Sequence, residues 1–92
     1  MFRVENHPKN EQYVTLFVEL PEGQNQSTLV CDARQEIEEL NKTGVFYGKE
    51  VHINGRITTG MSLMLGHALA HTCCAVHVFD PKLNGYVLCV WH

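Results

Sequence analysis

Long apolar runs are missing from these 92 residues. No stretch approaches the roughly 18 uninterrupted apolar residues that a membrane helix needs, so no membrane association is expected. Repeats, low-complexity tracts and linkers are missing too. At 45% hydrophobic and 18% charged, the composition excludes a disordered chain, collagen and coiled coil. No C-x-x-C spacing occurs among Cys31, Cys73, Cys74 and Cys89. Adjacent Cys73 and Cys74 would point to opposite faces of a strand. Neither a zinc knuckle nor a disulfide scaffold is therefore expected, and thiols in apolar runs read as small hydrophobes of a reducing cytoplasm. Met1–His7 has no apolar core, which argues against a signal peptide and for a cytoplasmic protein.

Acid is scarce in the second half. Residues 1–50 carry nine acids against five bases, whereas residues 51–92 carry one acid, Asp80, against Arg56 and Lys82. Five of the six histidines, His52, His67, His71, His77 and His92, also fall there. A polyanion would be repelled by the front and tolerated by the back, so a nucleotide site belongs in the back half. Net charge −3 argues against long duplex DNA, which needs a broad basic face.

The length fits one domain over residues 1–92. A chain this short buries only about 60–65% of its unfolded surface, which makes pairing with another copy reasonable. Residues 2–6 and 13–20 read as a hairpin of strands around the turn material His7–Glu11. Residues 21–27 are breaker-rich and read as an exposed loop. Asp32 is placed to cap a helix over 33–42, with Ile37 and Leu40 buried and Gly44 beyond its end. A buried strand is expected near 46–53, a second helix over 61–71 and an apolar strand over Cys73–Phe79. Asp80–Gly85 turns the chain into a returning strand, Tyr86–Trp91. The order β-β-α-β-α-β-β implies a small two-layer α/β (α+β) domain, a mixed sheet with helices packed on it.

Three places can carry chemistry. At Gly55-Arg56-Ile57-Thr58-Thr59-Gly60 a strand runs into a helix, and helix N-termini beyond strand carboxyl ends present free N–H groups to anions. Glycines admit a phosphate, Arg56 offers a planar fork, and Thr58, Thr59 and Ser62 add hydroxyls; an ordinary turn with a Thr or Ser cap explains the same residues. His67 and His71 form an i, i+4 pair able to hold a metal, although two histidines alone are not a site and boundary histidines are common. Asp80 ends a strand before Pro81, where either an Asx-turn or a catalytic carboxylate fits. One strand length, roughly 20 Å, separates it from His71, so both serve one reaction most simply from different subunits. Lys82 can meet a phosphate as a point charge. His52 and His77 read as sheet residues. Tyr86 and Trp91 can stack on a base or pack across strands.

Ile53-Asn54-Gly55-Arg56, His67-Ala68-Leu69-Ala70-His71-Thr72 and Val78-Phe79-Asp80-Pro81-Lys82-Leu83-Asn84-Gly85 together resemble the smallest of the type III CRISPR-associated ring nucleases. This family of about 100-residue proteins is also described as a manganese-dependent RNA deadenylase. The resemblance covers about residues 48–92. It implies a dimer that binds cyclic tetra-adenylate and linearises it to switch off antiviral signalling, with two dimers sandwiching one ring, as a tetramer or filament on ligand. Position by position it implies a catalytic pair of His71 and Asp80, the same two holding Mn²⁺ or Mg²⁺, with Lys82 in the place of a basic residue that is commonly arginine. His67 and His92 fall near further histidines of the family. A non-catalytic sensor of the ring, a 3′ deadenylating exonuclease and a structural subunit with packed histidines remain the alternatives.

Overall fold

A computed structural model describes residues 1–91; the reading placed on His92 lies outside the described residues. Five strands and two helices follow in the order β1 (Phe2–Asn6), β2 (Tyr13–Val18), α1 (Gln26–Lys42), β3 (Glu50–Gly55), α2 (Thr59–Ala70), β4 (Ala75–Asp80) and β5 (Gly85–Trp91). The strands lie side by side in sequence order in one mixed sheet. The β1–β2 and β4–β5 pairs are antiparallel hairpins, while β2–β3 and β3–β4 are parallel. The expected small α+β architecture is the one observed.

Parallel neighbours require crossovers, and each crossover here carries a helix. A right-handed crossover stepping the same way across a sheet puts its helix on the same face each time. Both helices therefore cover one face. Val14, Leu16, Val51, Ile53 and Val76 point into the core there and meet Leu29, Ala33 and Ile37 of α1 and Met61, Leu65 and Leu69 of α2. Strand alternation sends their neighbours to the other face, where no helix lies.

Several boundaries differ from the expected ones. Helix α1 begins at Gln26, not beyond Asp32, because Asn25 is its cap: the Asn25 side chain accepts from the Thr28 amide at 2.9 Å. Gln26 and Ser27, expected in the loop, sit in the first turn, and Asp32 is simply an exposed mid-helix residue. The segment 46–49 is not strand. Gly44 (φ +78°) and Gly48 (φ +69°) bracket a turn that drops Phe46, fully buried, into the core. Strand β2 stops at Val18 rather than residue 20, and α2 runs over Thr59–Ala70, two residues earlier at its start than expected.

Cys73 does not open β4, which begins at Ala75. Its amide donates to Leu69 O at 2.9 Å, as does its thiol, so it closes α2 instead. Burial pushes its pKa up. Only Cys73 is buried among the four thiols; Cys31 is exposed, and so are Cys74 and Cys89, contrary to a reading of apolar-run cysteines as small hydrophobes. Cys89 owes its position to a register shift opposite Val76 and His77, where β5 fits an extra residue.

Candidate functional site at the carboxyl edge of the sheet

Ile53 pairs with Val78, so two residues further on Gly55 and Asp80 end neighbouring parallel strands at the same edge. That pairing unites two of the three candidate places. The Gly55–Gly60 junction and the N-terminus of α2 adjoin Asp80 and the Pro81–Asn84 turn that carries Lys82. Helix α1 starts at this edge too, since the Thr58 hydroxyl donates to Gln26 Oε1 at 2.9 Å.

Within the junction, Thr58 is the helix cap. Its Oγ1 accepts from the Met61 amide at 3.2 Å and its backbone is extended, as a cap requires. Ser62 Oγ donates back to Thr58 O at 3.1 Å. These two hydroxyls serve the helix first. The amides of Thr59 and Gly60, by contrast, are first-turn donors without an intrahelical acceptor. Arg56 and Thr59 are exposed, and Arg56 forms no ion pair among the described residues. Replacing Thr58 by Ala is expected to lower stability by about 1 kcal/mol, read from a denaturant midpoint, because cap and Gln26 contacts vanish together.

Gly55 has a reason of its own. Its φ is +130°, and an added Cβ would stand 2.3 Å from Val18 O of β2. The glycine is demanded by the neighbouring strand's backbone, whatever else approaches the loop.

Asp80 is half-buried. Its Oδ1 accepts from the Lys82 amide at 2.9 Å, forming the Asx-turn that orders the loop, while Oδ2 accepts no hydrogen bond among the described residues. Asn84 takes a left-handed φ of 50° to finish the turn. Lys82 is exposed.

His67 and His71 lie at the opposite end. His71 caps the C-terminus of α2, and the two rings meet edge to face at 5.0 Å between centroids. Both are exposed, beside an open groove of about 520 Å³ that Leu63, Met64 and Arg34 also line. From Ala75 to Asp80, β4 spans roughly 17 Å, so His71 and Asp80 cannot act together within one copy. Among the described residues no three His, Cys, Asp or Glu side chains converge on a metal position. Asp80 alone, with one free oxygen, still suits a hard divalent ion that takes its remaining ligands from phosphate and water.

The sequence reading passed over a fourth place. On the helix-free face, the His52 ring stacks on His77 at 4.7 Å, on Tyr86 at 4.6 Å and on Tyr13 at 5.1 Å. Asn54 donates to the Tyr86 hydroxyl at 3.1 Å. The alternation of Val51 and Ile53 with Glu50, His52 and Asn54 was the available signal. Among the described residues no helix is long and apolar enough to cross a membrane. No family model matches this sequence, and no curated protein matches it either.

Proposed function

We propose that this chain is a ring nuclease that binds cyclic tetra-adenylate and linearises it, ending type III antiviral signalling, with a site shared between copies of the protein. The observation that carries this reading is the division of the chemistry between two ends of one sheet. Anion-binding groups, namely Arg56, Lys82 and the free amides of α2, collect around Asp80 at the carboxyl edge. The proton-transferring candidates His67 and His71 stand at the other edge. A ring with four phosphates and rotational symmetry suits an assembly that offers each set more than once.

In such an assembly, Arg56 and the first turn of α2 hold phosphate oxygens, and Lys82 adds a point charge. His71 of a second copy reaches the scissile bond, where attack on phosphorus breaks a P–O bond and the departing ribose oxygen needs a proton that an imidazole can give. The attacking oxygen is a ribose 2′-hydroxyl or a water. Asp80 Oδ2 would hold Mn²⁺ or Mg²⁺, whose contribution when bound is to neutralise charge on the phosphate.

The sensor reading has one point in its favour: Thr58, Ser62 and Asp80 Oδ1 are all engaged in local structure. Incubation of labelled cyclic tetra-adenylate with the protein and Mn²⁺ separates the two. We expect linear product from the wild type and a rate at least about 100-fold lower from Asp80→Asn. A ring that stays bound and intact through long incubation with wild-type protein makes the chain a sensor.

A further inference from the structure

On the helix side of the sheet, a slot of about 300 Å³ lies between α2 and the β4–β5 hairpin. Ile53, Val76 and Val78 line it from the sheet, Ile57 from the Gly55–Gly60 junction, and Cys89 and Val90 from β5. On the α2 side stand Ser62 and Gly66, one turn apart. The glycine keeps the slot open, since an added Cβ would find only Val90 Cγ2, at 3.9 Å. Among the described residues no charged side chain lines it. Cys89 and Val90 are consecutive, yet both line the slot. A regular strand sends consecutive side chains to opposite faces. The register shift opposite Val76 and His77 lets β5 turn both toward α2, as bulges beside sites do.

The slot opens on the groups gathered at the carboxyl edge. Asp80 follows Val78 by two residues on β4, so it lies on the same face of the sheet. Arg56 directly precedes Ile57, and Ser62 belongs to the first turn of α2. We propose that this slot receives the adenine base of a nucleotide whose phosphate is held by Arg56. The identity of the base rests on the ring-nuclease reading; the slot adds where that base is gripped.

Charge and shape select this occupant. An uncharged aliphatic slot with the exposed cations Arg56 and Lys82 at its mouth matches a flat neutral ring that carries an anion at one end. An apolar peptide would leave those cations unused, and inorganic phosphate would leave the aliphatic walls wet. The volume falls at the small end of small-molecule sites, which suits one base and not a folded oligonucleotide. Ser62 adds direction. Its hydroxyl proton goes to Thr58 O at 3.1 Å, so the oxygen remains an acceptor for the exocyclic amine of adenine.

Cys89 supplies the test, because it is exposed in the slot while Cys31 and Cys74 are exposed outside it. The whole chain is alkylated with iodoacetamide, and the rate at each thiol is followed by peptide mass spectrometry. Adenosine 5′-monophosphate at about 10 mM should slow Cys89 at least about fivefold and leave Cys31 and Cys74 within about 1.5-fold. Ribose 5-phosphate, which has the anion without the base, should slow Cys89 less than about 1.5-fold. Gly66→Leu fills the slot and leaves Arg56 and Asp80 in place. In that variant, with circular dichroism unchanged, the Cys89 rates with and without the nucleotide should agree within about 1.5-fold. Unprotected Cys89 in the wild type, equal protection by ribose 5-phosphate, equal slowing of all three thiols, or full protection in folded Gly66→Leu protein each overturns the proposal. The assay reads no cleavage, so the two readings fail separately. Protection of Cys89 in a protein that leaves cyclic tetra-adenylate intact keeps the slot and removes the nuclease. Cleavage by a protein whose Cys89 is never protected does the reverse.

Discussion

His71→Ala and Asp80→Asn proteins, each at least about 100-fold impaired alone, are expected to recover about a quarter of the wild-type cleavage rate after equal mixing and co-refolding. The value follows from the geometry. His71 closes α2 at one end of the sheet and Asp80 ends β4 at the other, roughly 17 Å of strand apart. A working site must then take its histidine and its acid from different copies. In a random mixture, half of the copies still carry His71 and half still carry Asp80, so one site in four draws an intact residue of each kind. A site confined to one chain gives a different outcome, since no chain in the mixture holds both residues. Absence of any recovery above the two single variants would remove the shared site from consideration. The same mixture also reports on assembly, because recovery requires exchange between copies.

Replacing Gly55 by Ala should cost on the order of 3–5 kcal/mol, enough to lower the melting temperature by more than about 12 °C. Two effects combine. A φ of +130° is strained for any residue with a Cβ, and that Cβ would overlap Val18 O at 2.3 Å and crowd the Val18 carbonyl carbon at 3.2 Å. Val18 is backbone in a strand paired on both sides, so it cannot step aside as a flexible side chain would. Small domains hold only about 5–15 kcal/mol in reserve. Gly60→Ala supplies the contrast five residues on, since its Cβ would meet Val30 Cγ2 at an ordinary 3.6 Å in the first turn of α2. That variant should be neutral or stabilised by up to about 1 kcal/mol. Equal melting temperatures for the two variants would refute the explanation offered for Gly55.

Helix α2 and the β4–β5 hairpin were legible because their signals are local: Thr58 before a run of good helix formers, and an Asp-Pro…Asn-Gly turn between two β-rich segments. The start of α1 was not. Asn25 competes with Ser27 and Asp32 as a cap, and the choice falls to the position that lets Leu29, Ala33 and Ile37 reach the core. Phe46-Tyr47 read as the start of a strand because it is apolar, but Phe46 is buried from a turn, and burial alone does not distinguish the two. Cys74 and Cys89 read as small hydrophobes because their neighbours are apolar, whereas a thiol's exposure depends on which face the backbone finally turns outward.

For the candidate site, the sequence supplied the chemical groups and the His71–Asp80 separation, which needs only one helix end, one turn and one strand length. It could not join Asp80 to Gly55 and Arg56. By itself the sequence determined the order of elements and the apolar stripe or face of each, since 3.6-residue and two-residue periods are written within short segments. Tertiary structure alone decided that β3 and β4 run parallel and adjacent, that Asp80 therefore shares an edge with the Arg56 loop, and that His52 and His77 stack on an open face. Those facts depend on which strands pair, and pairing is a relation between segments far apart in the chain.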